Sequence, residues 1–499
     1  MTLRTVNRRR IPREVTAVVL LLIAVFLTRW PLAPKYLFFF DSANFAYAME
    51  HFNPAAHQPQ LPGYPLFVLL MQLLHSFIPN PQHVLVASGI LGTVAAAWCL
   101  WRLGVEMFGC VAGGAAAALL IANPVMWFGG LTNQVRIFLA VCGCVMALLF
   151  WRASHPDAPP RKLYVASILS GIMAGFRPET LLLVVPLLVA ALIRRRTSVR
   201  QAAAGIAALG AGAAVWLIPT VMWVGGPQAY ANLLLDYARD QFHQSSPFFG
   251  AHAQGALKMA WSALVWNGLA AIAWLWFLPF AALGREKFRA EAGFIAIWFV
   301  PGFLFQAVVH VADPDQTLFT VPALCLTGGA ILASARRGAK WRIAAAIAVS
   351  AFLFFRPPAG VAAASGYHVV RWSSGQTAET VDGLRKLTQN GPAEVILAGQ
   401  TASWRQLAYY FPEQRMLVVE PDGKVWELEG TRQFDPVVSK GDYVLSPGLR
   451  TIVALDPTAS ATWMRLENEA GFHSRGTLLY RDFGDDASFQ ITGAHFVFR

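Results

Sequence analysis

From the N-terminus to about residue 356, long apolar runs alternate with short polar breaks, many of them basic, and beyond that point the pattern changes. The apolar runs occupy 15–34, 83–101, 110–128, 134–151, 163–176, 179–193, 202–224, 257–283, 292–310, 316–334 and 341–356. Each is close to, or slightly shorter than, the roughly 17–25 residues with which an α-helix crosses a hydrocarbon core. The pattern therefore predicts eleven transmembrane helices. From about residue 360 charges become frequent and the apolar runs shorten to "AEVILAG", "RMLVVE", "DYVLS" and "TIVAL", with "SWRQLAYYF" at helical spacing between the first two. Strand, helix, strand at that spacing predicts a small α/β domain. The expected architecture is an α-helical polytopic membrane protein over 1–358, followed by a C-terminal α/β extracytoplasmic domain over 359–499.

Basic residues orient the spans. With the N-terminus in the cytoplasm, the inner loops carry Arg8–Arg10 and Arg13, Arg102, Arg152 with Arg161 and Lys162, Arg194–Arg196 with Arg200, Arg285 with Lys287 and Arg289, and Arg336, Arg337, Lys340 and Arg342. The opposite loops hold few: Lys35, Arg136, Arg177, Arg239 and Lys258. This is the asymmetry of a cytoplasmic face. Counting 64–78 as a full span would invert every later loop, so that stretch reads as an interfacial or re-entrant helix inside a long first outer loop, 35–82. Eleven spans then place the C-terminus outside. The basic, apolar beginning has no small-residue cleavage site before Trp30 and reads as an uncleaved signal anchor.

Composition agrees with a membrane chain: 56% of the 499 residues are hydrophobic and only 14% charged, where soluble domains carry about a quarter. The formal charge of +12 suggests no nucleic-acid partner, because the basic residues punctuate apolar segments and form no patch among stacking aromatics. The five cysteines fall in or beside apolar runs, and Cys142 and Cys144, two apart on a helix, point in well-separated directions. They read as small packing residues. No Walker loop, HExxH, GxSxG or paired-cysteine motif is present, so ATP-driven transport and zinc hydrolysis have no support.

Four polar constellations remain, all at span ends on the outer side. "FFFDSANFAYAMEHF" places Asp41 just past the first span, where it reads equally as the N-cap of a short helix or as a base at the membrane surface. "HQPQLPGYP", His57 to Pro65, is a rigid turn in which His57 either holds the loop or contacts a sugar or phosphate. "GFRPET" lies between two spans of about fourteen residues, roughly 21 Å of helix, so Arg177 and Glu179 are expected below the outer surface. An Arg–Glu turn at that depth is costly unless it is paired or faces a polar cavity. Pro178 is expected to open the second of those spans, with Glu179 in its first turn. Asn133, Gln134 and Arg136 follow the third span. In "HVADPDQT", His310 to Thr317, a metal set of His310, Asp313 and Asp315 is conceivable, with solvated loop polarity the simpler reading. The stretch 236–244 is expected to be an amphipathic loop helix.

In order and topology these motifs resemble the GT-C superfamily of integral-membrane glycosyltransferases, and are most similar to its bacterial protein O-mannosyltransferase and lipid A aminoarabinose transferase branches. The likeness spans about residues 10–360 and rests on the first outer loop opening with an Asp, "HQPQLPGYP", "GFRPE" and the Pro-containing tenth span "DQTLFTVPAL". It departs from many relatives in having "HQPQLP" where a doubled proline commonly follows the histidine, and Gln316 and Thr317 where an Arg-Tyr pair is common. The resemblance implies transfer of a sugar from a polyprenyl-phosphate donor to an acceptor hydroxyl on a protein, lipid or glycan, at the outer face of a bacterial inner membrane. Asp41 would be the catalytic base, and Arg177, Arg136, His57, Glu179 and Gln316 would form the substrate site. No cofactor and no metal are implied, because the leaving group is a phosphate monoester. The rival is a transporter or flippase of lipid-linked sugars, which predicts polar mid-span residues and inverted repeats; the middles of the spans are nearly free of ionisable residues.

Overall fold

The computed structural model describes residues 10–498 apart from 244–245, 280–284, 312, 335–336, 400–402, 429–436, 440–442, 456–459 and 483–487, with backbone only for 10–13, 285–290, 437–439 and 460. Helices α1 (Arg10–Arg29), α2 (Phe40–Glu50), α3 (Pro65–His75), α4 (Pro81–Phe108), α5 (Cys110–Ala122), α6 (Pro124–Thr132) and α7 (Gln134–Ala153) come first. Next are α8 (Pro160–Met173), α9 (Thr180–Arg194), α10 (Val199–Val224), α11 (Pro227–Phe242), α12 (Ala253–Leu275), α13 (Arg285–Val308), α14 (Val321–Ala333), α15 (Ala339–Phe355), α16 (Ala359–Ala362) and α17 (Tyr367–Leu387).

Every expected span holds a helix, but not every one is a full crossing. Among the described residues, α1, α4, α7, α10, α12 and α13 are long and apolar enough individually. The pairs α5–α6, bent by 48°, and α15 with 359–387, bent by 56°, pass only when joined. Helices α8, α9 and α14 have 14, 15 and 13 residues, and α3 has 11, the short helix expected inside the first outer loop. The expected helix at 236–244 is the C-terminal part of α11, with 244 outside the described residues.

Contacts divide the chain into two units: Met1–Ala33 with Tyr64–Val369, and Pro34–Gly63 with Val370–Arg499. The division differs from the expected 358/359 boundary in one important respect. Residues 34–63, most of the expected first outer loop, group with the C-terminal region.

In the helical unit α4 and α7 are largely buried, whereas α1 and α10 expose Val19, Leu20, Leu27, Ile206, Ile218 and Met222. Apolar side chains left outward are what a bilayer-facing surface requires. Without water to drive association inside a membrane, helices rely on close backbone approach through small residues. Gly212 of α10 lies so near α8 that a Cβ would sit 2.1 Å from the Ile168 carbonyl oxygen, and one on Gly171 would sit 2.2 Å from that of Leu209. The third span breaks at Asn123–Pro124 for a local reason. The Asn123 carboxamide oxygen takes the Val125 N–H at 3.1 Å, which leaves the Ile121 carbonyl without its helical donor. Arg29 Nη2 donates to it at 2.5 Å, and the guanidinium stacks over Trp127, 4.2 Å from the ring centroid.

The second unit is α/β. Strands β1 (Ala393–Ala398), β2 (Arg415–Val419), β3 (Val425–Leu428), β4 (Val437–Ser439), β5 (Tyr443–Leu445), β6 (Arg450–Leu455), β7 (His473–Arg475), β8 (Leu478–Arg481), β9 (Phe489–Ile491) and β10 (Ala494–Phe498) are joined by α18 (Trp404–Tyr410) and α19 (Ser460–Glu469). They form a seven-stranded sheet ordered β4-β3-β2-β1-β6-β8-β7 and a three-stranded sheet β5-β10-β9. Strand β1 pairs in parallel with both β2 and β6, Val395 opposite Met416 and Ile452. Every residue of β1 is buried, as a central parallel strand requires. Tyr36 joins the core beneath this sheet with Val381, Leu397, Leu407 and Ile452, so the unit's core is completed by a residue more than 300 positions away. Tyr36 lies outside the 359–499 domain expected from composition.

The Gly212 contact makes a test. Gly212→Leu should lower the stability of the detergent-solubilised protein by about 1–3 kcal/mol or more, the cost of overpacking. Gly210→Leu, where nothing lies within 4 Å of the added Cβ, should leave the thermal midpoint unchanged in the same fluorescence-monitored melt.

Candidate functional site

In the helical unit, Arg136, Arg177, Glu179 and His310 stand at the ends of α7, α8, α9 and α13. Between α8 and α9 the chain turns sharply, with Thr180 N–H donating to the Arg177 carbonyl at 2.9 Å. Helix α9 begins at Thr180, later than expected, because Glu179 occupies the N-cap position and Pro178 lies in the turn. Arg177 is buried at 8% exposure. Its Nη2 donates to the Glu179 carboxylate, and its guanidinium lies over the Tyr64 ring at 5.0 Å. Leu66 N–H donates to the Gly175 carbonyl at 3.1 Å, and a Cβ on Gly175 would approach Leu66 and Trp216 to 2.7 and 2.8 Å. The segment after "HQPQLPG" and the turn "GFRPE", more than 100 residues apart in sequence, therefore pack as one piece, with glycine required where they touch.

Arg136 sits in the first turn of α7. Its Nη1 donates to Asp313 Oδ2 at 2.7 Å and to Asp315 Oδ1 at 2.5 Å. The segment 310–317 was expected to be solvated, and this is corrected. Asp315 is wholly buried, because the six-residue 3₁₀ turn Pro314–Phe319 packs against α6, where a Cβ on Gly129 would come within 2.8 Å of the Asp315 Cβ. Burial raises the Asp315 carboxyl to a pKa of about 6, although Arg136 pulls the other way. Gln316 serves two neighbours. Its Oε1 accepts from Asp313 N–H at 3.2 Å, and its Nε2 lies 3.0 Å from His310 Nε2. An amide nitrogen only donates, so that ring nitrogen accepts and the proton of a neutral imidazole sits on Nδ1. His310 Nδ1 has no hydrogen-bond partner among the described residues, which leaves it able to donate to a bound anion.

Arg177, Glu179, Gln306, His310 and Gln316 line one cleft of about 50 Å³, walled by Leu139, Phe305 and Phe319. Behind it Asn267 Nδ2 donates to Gln306 Oε1 at 2.8 Å, Thr320 Oγ1 to Asn267 Oδ1 at 2.7 Å, and Gln306 Nε2 to Thr320 Oγ1 at 3.1 Å. This closed ring satisfies polar groups that would otherwise be costly in an apolar setting. Sequence reasoning passed over Tyr64 and this ring, and weighed His310 only as a metal ligand or a solvated loop residue. A signal existed in Asn267 and Gln306, polar residues inside otherwise apolar spans.

Arg136, Arg177, Glu179 and Gln316 thus share one unit. Asp41 and His57 belong to the other. Asp41 is not the helix cap. Helix α2 begins at Phe40 with Phe39 at the N-cap, so Asp41 lies in the first turn, where the positive end of the helix favours an acidic residue. Ser42 Oγ accepts from Phe39 N–H at 3.4 Å. His57 takes a left-handed conformation, φ 52°, at the end of the turn Pro54–Ala56. Among the described residues no three His, Cys, Asp or Glu side chains are grouped as a metal site would require.

Residues 57–223 match the family model described as dolichyl-phosphate-mannose-protein mannosyltransferase; the matched segment includes His57, Arg136, Arg177 and Glu179. No curated protein sequence matches the chain. The structure is similar to that of ArnT from Cupriavidus metallidurans bound to undecaprenyl phosphate, with 15% identity, a TM-score of 0.59 and coverage of 93% of this chain and 97% of the other. It is similar to the same protein in the apo state, with 15% identity, a TM-score of 0.54 and coverage of 95% and 98%. At these identities the likeness establishes the fold.

The buried Asp315 carboxyl has a direct consequence for pH dependence. Its pKa is higher in the folded protein than in the unfolded chain, so folding favours its protonated form. That contribution is present below about pH 4 and is lost as pH rises to about 6. Thermal midpoints of wild type and Asp315→Asn, compared from pH 4 to 7, should show wild type losing stability relative to the variant by a few kcal/mol, since one pKa unit is about 1.4 kcal/mol. A difference independent of pH would show that Asp315 does not titrate in this range.

Proposed function

We propose that this chain, which has the fold of the GT-C superfamily of integral-membrane glycosyltransferases, moves a sugar from a polyprenyl-phosphate donor to an acceptor hydroxyl at the outer face of a bacterial inner membrane. The observation that carries this reading is the cleft in the helical unit. Arg177, a neutral His310 imidazole with a donor to spare and the amides of Gln306 and Gln316 line it beside Leu139, Phe305 and Phe319, and Arg136 stands at the end of α7, held by Asp313 and Asp315. A glycosyl phosphate is anionic and lipid-borne, and calls for that combination. The family model over 57–223 and the undecaprenyl phosphate named with the similar structure support the same chemistry.

The reaction is a single displacement. An acceptor hydroxyl oxygen attacks C1 of the sugar, and its proton passes to the Asp41 carboxylate, which acts as general base. The bond between C1 and the phosphate oxygen breaks with its electron pair staying on the phosphate. Arg177, with Arg136 and Gln316, stabilises the charge that develops there. Both arginines are held by carboxylates, Arg177 by Glu179 and Arg136 by Asp313 and Asp315, which fixes their orientation before the donor arrives. His57 and Glu179 contact the sugar or its phosphate. The reading requires no cofactor and no metal, and the acceptor is a protein, lipid or glycan.

Asp41→Asn preserves size and removes the proton acceptor. Turnover of a radiolabelled polyprenyl-phosphate sugar should fall by about 10²–10⁴ while donor binding persists. Arg177→Ala should instead raise the donor KM. Near-normal transfer by Asp41→Asn would defeat the assignment of the base.

Orientation is tested separately. Reporter fusions after residue 196 and at the C-terminus should report cytoplasm and outside, respectively. If both report the same side, chemistry at the outer face is wrong.

A further inference from the structure

The segment 34–63 carries Asp41 and His57. In its own unit its first residues are held by α17, where Asp382 accepts from Lys35 Nζ at 2.8 Å and from Tyr36 Oη at 2.5 Å, and the part that carries Asp41 and His57 is fastened to the α/β region by α18. Helix α18 is short and has its own capping box. Gln406 N–H donates to Ser403 Oγ at 3.3 Å, and Gln406 Oε1 accepts from Ser403 N–H at 2.7 Å. The same Gln406 side chain donates through Nε2 to the Leu37 carbonyl, while Leu37 N–H donates to Tyr410 Oη at 2.9 Å. Aromatic rings pair along the joint: Phe40 with Trp404 at 5.3 Å, Tyr47 with Tyr409 at 5.0 Å and Tyr36 with Tyr410 at 5.1 Å.

At the centre of the joint lies Arg405, completely buried. Its Nε donates to Asn44 Oδ1 at 3.1 Å and its Nη2 to the Ala56 carbonyl at 3.3 Å, and its guanidinium stacks 4.3 Å from the Tyr47 centroid. Asn44 in turn donates to Gln60 Oε1 at 3.4 Å. Asn44 is three residues beyond Asp41 and so on the same side of α2. Ala56 immediately precedes His57. One guanidinium therefore binds the helix that carries the proposed base and the turn that carries the proposed sugar-contacting histidine.

We infer that Arg405 is a positioning residue: through Asn44 and the Ala56 carbonyl, the C-terminal domain sets the placement of Asp41 and His57 for sugar transfer. The inference rests on the reading of Asp41 as base and gives the domain a task other than presenting the acceptor. A planar fork that reaches two acceptors at once while stacking on a ring is a property of arginine and not of lysine. A shift of about 1 Å in a positioned group can cost on the order of 10² in rate.

The test uses the full-length protein in lipid nanodiscs with radiolabelled undecaprenyl-phosphate hexose, and compares Arg405→Lys, Asn44→Ala and Asp41→Asn. Arg405→Lys keeps the charge and should lower kcat about 10- to 100-fold with the donor KM within about twofold. Amide exchange should rise within 40–58 and stay unchanged in β1, β2 and β6. Asn44→Ala removes a single acceptor and should lower kcat several-fold. It carries the test if Arg405→Lys does not yield folded protein. A folded Asn44→Ala or Arg405→Lys enzyme with kcat within twofold of wild type would overturn the inference. So would exchange rising equally throughout the sheet, since Arg405 would then only stabilise the fold. Wild-type transfer by Asp41→Asn would sink the underlying reading of the base. Localised exchange in Arg405→Lys would still register the fastening, so the two failures are distinguishable.

Discussion

A guanidinium taken out of water must be met by acceptors or a ring face, because an unpaired buried charge costs several kcal/mol. This chain accepts that constraint repeatedly and builds its polar architecture around the solutions. Arg29 is met by the Ile121 carbonyl and Trp127, Arg136 by Asp313 and Asp315, Arg177 by Glu179 and Tyr64, and Arg405 by Asn44, Ala56 and Tyr47. In each case at least one partner, an acceptor or for Arg177 the Tyr64 ring, comes from a different part of the chain, so satisfying one side chain fixes two backbone segments relative to each other.

The consequence differs with depth and partner. Arg29 uses a carbonyl exposed by the break at Pro124 and so helps hold α6 at its angle to α5. Helix α6 in turn supports the 3₁₀ turn that carries Asp315, through the close approach at Gly129. Arg136 and Arg177 are paired with carboxylates and lie at the ends of spans, where an arriving anion could compete for them. Arg405 is met by the neutral oxygens of Asn44 and Ala56 and by the Tyr47 ring. Its place suits a fastening, whereas the carboxylate-paired arginines suit a binding site. Around them, Asn267, Gln306 and Thr320 complete one another's hydrogen bonds and give the cleft a wall that does not depend on ligand.

The sequence alone determined what is local. Apolar run length located all eleven helical segments, alternation and spacing located β1, α18 and β2, and turn chemistry singled out Arg177 with Glu179, a pair two residues apart that forms. Basic-loop asymmetry also marked 64–78 as an interfacial or re-entrant helix, and α3 there has 11 residues. Tertiary structure decided what depends on distant partners. Asp315 reads as a solvated loop acid until α6 is packed against it and Arg136, 179 positions away, is brought alongside. Asp41 reads as a cap because Asp is a good one, yet the helix starts two residues earlier than that cap implies, at Phe40, whose ring packs on Trp404. The division of the chain was misjudged for the same reason. Composition changes near residue 360, but Arg405 and Asn44 meet across 361 positions, and no local pattern records which segment will supply the acceptors for a buried charge. Hydropathy and turn propensity are properties of a few consecutive residues, while the partner of a buried polar group is set by packing, which only the folded chain specifies.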